Sequence, residues 1–189
     1  MPCDPGGGDV AGCFALVAYI PDPLRKFLDD LRRELVPGCI AHAHVTILPP
    51  RPLSGSLQAG IETVRSRMPD FSSFEIKTGE VAVFDESDMV YLTLEDGRQE
   101  LLDMHRALNT GPLKFEALFP YHPHITLAQD LTREQALELG ALARRRWAEY
   151  PYSRVFPVES LVFVENTSRN VWTDLAYFQL DPAPSIRRR

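Results

Sequence analysis

Two short stretches decide the reading of this chain: His42-Ala43-His44-Val45-Thr46-Ile47-Leu48 and, 80 positions later, His122-Pro123-His124-Ile125-Thr126-Leu127-Ala128. Four of the five histidines lie in them, so one pattern, His-x-His-x-Thr followed by aliphatic residues, occurs twice. Side chains alternate between the two faces of a β-strand. His42, His44, Thr46 and Leu48 should therefore share one face, with Val45 and Ile47 on the other; His122, His124, Thr126 and Ala128 oppose Pro123, Ile125 and Leu127 in the same way. Each copy aims imidazoles and a hydroxyl to one side while its aliphatic residues anchor the strand in a core. Two copies suggest one site with two histidines.

Working outward, residues 13–20 read as a buried strand stopped by Pro21 and Pro23. A helix follows, capped by Asp22 with Pro23 in its first position, because Leu24, Phe27, Leu28, Leu31 and Leu35 recur at helical spacing until Pro37-Gly38. The first motif strand should span 41–48 and end at Pro49-Pro50. A second helix is expected over 54–70, then a hairpin of 74–84 with 89–94 around an acidic turn, and a helix over 98–108. After a loop over 110–121 comes the second motif strand. Thr132 with Gln135 then opens a helix to residue 150, and 155–164 with 171–180 form a closing hairpin.

Strand, helix, strand, strand thus follows each motif. The fold class expected is α+β, bilobal and duplicated: two mainly antiparallel sheets facing a central cleft, with helices on their outer faces. The domain division expected is a flexible start over 1–12, one bilobal domain over 13–181 and a flexible basic tail over 182–189, with the stretch before His122 as the boundary between lobes.

The chain has 189 residues, 44 % hydrophobic and 24 % charged, enough for a sizeable core. A net charge of -6 argues against a partner held by many phosphates, so no long nucleic acid is expected. Arg32-Arg33 and Arg144 to Arg146 read as solvated helix faces. Cys3, Cys13 and Cys39 are odd in number and indicate neither a disulfide framework nor a cysteine zinc site, which points to a reducing cytoplasm. No targeting or membrane segment is visible. The chain is expected to be a monomer.

Imidazole titrates near neutrality, so two histidines can divide the roles of general base and general acid, and threonine hydroxyls are neutral donors for an oxyanion. The set suits phosphate, with no metal, cofactor or covalent intermediate required.

His44-Val45-Thr46-Ile47 and His124-Ile125-Thr126-Leu127 resemble the two signatures of the two-histidine (2H) phosphoesterase superfamily, and residues 121–128 are most similar to bacterial members of its 2'-5' RNA ligase and cyclic phosphodiesterase group. The resemblance implies a bilobal fold with a pseudo-twofold cleft, metal-free opening of a 2',3'-cyclic phosphate to a 2'-phosphate, and ligation to a 2'-5' linkage as a related reaction. It also implies His44 and His124 as the acid/base pair and Thr46 and Thr126 as phosphate holders, leaving open which histidine is the base. His42 and His122 are candidates for the rim or for substrate contact. Many relatives carry a basic residue after the second motif, whereas Gln129 and Asp130 stand here; this weakens an RNA-end ligase reading and a long RNA substrate, and favours a nucleotide or another small phosphodiester.

Two other readings remain open at this level. His-x-His is a metal-ligand spacing, and two such pairs could form a four-histidine site in a metal-dependent hydrolase. A non-catalytic module holding a nucleotide or RNA end would use the same cleft. His105 reads as an interfacial core residue. Phe14, Tyr19, Phe84, Tyr91 and Trp172 read as core aromatics, and Tyr121 has the wrong parity to join the histidine face.

Overall fold

The computed structural model describes residues 12–40, 42–168 and 171–183. Cys3, Ala41, Arg187 to Arg189, and all but the inner ends of the expected flexible start and basic tail lie outside them. The described elements are β1 (Cys13–Tyr19), α1 (Leu24–Leu35), β2 (His44–Arg51), α2 (Leu57–Arg67), β3 (Phe74–Val83) and β4 (Val90–Asp96). They continue with α3 (Arg98–Leu108), β5 (Ile125–Ala128), α4 (Arg133–Ala148), β6 (Val155–Val158), β7 (Ser160–Ser168) and β8 (Val171–Gln179).

Two four-stranded antiparallel sheets form, ordered β2-β1-β7-β8 and β5-β4-β3-β6. The motif strands β2 and β5 are end strands, one in each sheet, and they lie against each other. Helix α1 packs on β5 and α4, α3 on β2, and α4 across β3. One hydrophobic core joins Leu16, Val45, Ile47 and Phe163 of the first sheet to Ile76, Leu92, Ile125 and Phe156 of the second. Complete burial of an aliphatic side chain is worth about 1.5–3 kcal/mol, so this shared core holds the two motif strands in a fixed relation.

The lobes do not correspond to the halves of the chain. Strands β3 and β4, which precede the expected boundary, share a sheet with β5, while β7 and β8 return to β1. The expected strand 155–164 is two strands: β6 pairs with β3, and after Glu159 the chain crosses to the other sheet, where β7 pairs with β1 and β8. Alternation within a strand carries no information about its partner, which is why the sequence placed the boundary wrongly.

Strand β2 also continues through Pro49 and Pro50 to Arg51 instead of ending at them. An end strand has one side without ladder partners and tolerates missing N–H groups there. Arg51 is 1 % exposed. Its Nε donates to the Pro49 carbonyl at 2.8 Å, and its Nη1 donates to Asn109 Oδ1 at 2.6 Å and the Leu113 carbonyl at 2.9 Å, pinning the loop before the second motif.

Helix starts follow the capping chemistry. Thr132 and Gln135 form the expected capping box of α4, and Ser56 caps α2 by accepting from the Ala59 amide. Pro23, not Asp22, occupies the cap position of α1, although Asp22 accepts from the Lys26 amide at 3.2 Å. Arg144 to Arg146 are exposed as expected, but Arg32 is buried. Cys13 enters a disulfide, which the sequence did not indicate, and Cys39 is free. Among the described residues no helix is long and apolar enough to cross a membrane.

Candidate functional site

His44 opens β2 opposite Tyr19 of β1, and Thr46 stands opposite Val17. His124 immediately precedes β5, where Thr126 stands opposite Tyr91 of β4. Ala43, Val45 and Ile47 are buried while His44 and Thr46 are half-exposed; Pro123, Ile125 and Leu127 repeat this against His124 and Thr126. Leu48 and Ala128 depart from the expected parity, being buried rather than on the histidine face. The register explains it: Thr46 pairs with Val17 but Leu48 with Leu16, and Thr126 pairs with Tyr91 but Ala128 with Val90. Ile47 and Leu127 are thus the extra residues of two equivalent β-bulges, which re-aim the chain after each threonine.

The two imidazoles are held identically. Nδ1 of His44 donates to the His42 carbonyl at 2.7 Å, and Nδ1 of His124 donates to the His122 carbonyl at 2.6 Å. A carbonyl only accepts, so each neutral ring carries its proton on Nδ1 and leaves the Nε2 lone pair free for chemistry. Desolvation pushes the His44 imidazole down to about 4; the His42 carbonyl opposes this, and the charges of Arg32, His42 and His124 add to it. His124 is also lowered, first by desolvation and further by the charge of His122, against the pull of the His122 carbonyl. His44 therefore registers the charge of His124: the fold brings the two together from separate sheets. Thr126 Oγ1 donates to the Met89 sulfur at 3.6 Å.

The outer histidines take different positions. His42 is exposed and lies flat on Tyr19, with ring centroids 4.4 Å apart, and Tyr19 donates to Asp174 Oδ1 at 2.6 Å. His122 is half-buried and meets Phe84 edge-on at 5.1 Å and Tyr91 at 5.9 Å. Phe84 and Tyr91 stack at 4.0 Å and both also meet His124 edge-on. Tyr91 is buried, as its reading as a core aromatic expects, but it also walls the histidines together with Tyr19 and Phe84, which are only partly buried. Only the strand register could have revealed this, since an aromatic in an apolar strand looks the same on either face.

Tyr121 and His105 also reach the site from outside the expected set. The Tyr121 hydroxyl donates to the Thr46 carbonyl at 2.6 Å, and His105 Nδ1 donates to the Ile47 carbonyl at 2.8 Å. Their rings stack with centroids 4.1 Å apart.

The family model of the 2'-5' RNA ligase superfamily matches residues 20–170, a span that includes both motifs. The chain belongs to this superfamily. A protein of Oceanobacillus iheyensis that bears the name of a phosphoesterase is 30% identical over 81 residues, which are 42% of this chain and 47% of that protein. The match thus spans about half the length of that relative. Among solved structures, LigT of E. coli complexed with 3'-AMP superposes with a TM-score of 0.64 at 17% identity, covering 90% of this chain and 98% of that one. Usb1 of Kluyveromyces marxianus, solved with uridine monophosphate, gives 0.53 at 14% identity over 86% of this chain and 96% of its own. These likenesses concern the fold.

In this member of the superfamily no three His, Cys, Asp or Glu side chains among the described residues converge as a metal-holding group. The Nδ1 atoms of His44 and His124 are committed to carbonyls, which leaves the Nε2 atom of each ring as the one open to proton transfer.

Proposed function

We propose that this chain is a two-histidine phosphoesterase that hydrolyses a 2',3'-cyclic phosphate or a 2'-5' phosphodiester of a nucleotide or RNA end without a metal. The observation that carries the reading is the matched tethering of His44 and His124, each by Nδ1 to the carbonyl two residues earlier, with the charge of His124 acting on His44. Two imidazoles of different proton affinity can act as base and acid in one turnover. His44, pulled down to about 4, is the base: its Nε2 takes a proton from water as the oxygen bonds to phosphorus. His124 is the acid and gives its proton to the departing 3' oxygen as the P–O bond breaks, leaving a 2'-phosphate. The hydroxyls of Thr46 and Thr126 donate to the non-bridging oxygens, where charge builds. His42 and His122 contact the substrate at the rim.

The same proton movements with a 5'-hydroxyl in place of water, attacking the cyclic phosphate as its 3' oxygen departs, would join ends through a 2'-5' linkage. The nucleotides and phosphate held by structurally similar proteins support a ligand of this class, and Gln129 in place of a basic residue favours a small one. The deciding experiment is hydrolysis of 2',3'-cyclic mononucleotides in excess EDTA by the native protein, His44→Ala and His124→Ala. Turnover that survives EDTA and disappears in both variants is expected. Turnover that needs zinc would replace this reading with a metal hydrolase, and tight binding without turnover would replace it with a binding module.

A further inference from the structure

An end strand that carries a bulge has backbone carbonyls that no neighbouring strand can satisfy. In β2 the two at issue are those of Thr46 and Ile47, immediately after His44-Val45. Both are taken by side chains from the part of the molecule that carries the second motif. Tyr121, three residues before His124, donates its hydroxyl to Thr46; His105 of α3 donates to Ile47; and the two rings lie face to face with an interplanar angle of 10°. Burial pushes the Tyr121 phenol well above its ordinary value, so the hydroxyl remains a donor at every physiological pH. A short covalent path, Tyr121 to His124, is thus bonded to another short path, Thr46 to His44.

We infer that Tyr121, braced by His105, is a positioning residue that fixes the first motif strand against the second and so sets how His44 faces His124. The inference rests on the proposed acid/base roles for its functional consequence, but the geometry it invokes is independent of turnover. Tyr121 lies four residues before β5, outside the strand whose alternation would give it a face, and it acts on the backbone of Thr46 and not on a reacting group. The first motif has no equivalent donor to offer in return, because Ala41 stands three residues before His44 and has no hydroxyl.

The test is Tyr121→Phe, which deletes the hydroxyl and keeps the ring on His105, with His105→Phe as a second variant that keeps the stack and deletes the donor to Ile47. The first readout is the titration of the His44 and His124 imidazoles by NMR, which needs no substrate. Arg32, His42 and His124 are the charged groups that act on His44. A loosened strand admits water, so the His44 titration should move upward by about one pH unit from its value of about 4. The second readout is turnover of a 2',3'-cyclic mononucleotide: kcat should fall about 10- to 100-fold with KM changed less than about twofold, the signature of a misplaced reacting group.

A lower melting temperature with unmoved imidazole titrations and kcat would overturn the inference and leave the pair a structural brace. If Tyr121→Phe does not fold, the same readouts on His105→Phe decide. An inactive native protein would count against the proposed function alone, since the NMR comparison stands without it.

Discussion

The two motifs share the His-x-His-x-Thr pattern, the same Nδ1 tethers and the same bulge, yet their surroundings are unequal. Behind β2, the ring of His105 and the hydroxyl of Tyr121 take the carbonyls of Ile47 and Thr46. Behind β5 lies α1, in which Arg32 stands three residues from the helix end, as His105 does in α3. Arg32 is 8 % exposed and its Nε has no partner, so this side carries a buried charge where the other has a satisfied stack. In front, His124 is walled by Phe84 and Tyr91, whereas the His44 side has Tyr19 covered by His42. The unequal setting acts on the protons: beyond desolvation, His44 feels the charges of Arg32, His42 and His124, and His124 that of His122. On the proposed mechanism, such unequal settings in a pseudo-symmetric frame would let one imidazole serve as base and the other as acid.

The sharpest way to break the comparison is to remove each histidine in turn. His44→Ala and His124→Ala should each lose at least about 100-fold in kcat/KM, with far-ultraviolet circular dichroism unchanged because both side chains are half-exposed. A variant that keeps native turnover would end the two-histidine mechanism. Thr46→Val and Thr126→Val should follow at about 10- to 100-fold, since each removes one donor to a developing oxyanion and keeps its shape; inorganic phosphate should inhibit both variants less than the native protein.

The pH dependence sharpens the assignment of base and acid. Both imidazoles are lowered, so kcat/KM of the free protein should peak on the acid side of neutrality. It should fall below about 4 as His44 gains its proton, and fall again as His124 loses its own below the ordinary value of 6.5. Stability should move with the same groups. A histidine held neutral in the fold binds a proton in the unfolded chain first, so its contribution is complete above the unfolded value of about 6.5. That contribution is lost as pH falls toward the folded value, with a slope of at most about 1.4 kcal/mol per pH unit for each histidine. Calorimetry across that window checks the sign: a melting temperature that rises on acidification would contradict it. Tyr91→Leu should give the smallest effect, a rise in KM of a few-fold with kcat nearly kept, if the aromatic wall holds substrate and does not move protons.

Much of this arrangement was legible in the sequence because it depends on local periodicity. The repeated His-x-Thr with alternating aliphatics names His44, Thr46, His124 and Thr126 and their common face, and the Thr132-Gln135 pair announces α4. Other features were illegible for definite reasons. Pro49 and Pro50 look like a strand end until β2 is known to be an end strand. Leu48 and Ala128 look like cleft residues until the register reveals the bulges. Tyr19, Phe84 and Tyr91 could have faced either way.

The sequence by itself determined the α+β class, most of the elements and the four motif residues, since these follow from side-chain spacing and capping along a continuous chain. Only the tertiary structure decided which strands share a sheet, that the chain crosses between sheets at Glu159, that Tyr121 and His105 hold β2 from behind, and that burial lowers the proton affinity of both His44 and His124. Those outcomes rest on contacts and desolvation between residues far apart in the chain, such as the 75 positions that separate Tyr121 from Thr46, and no local pattern encodes them.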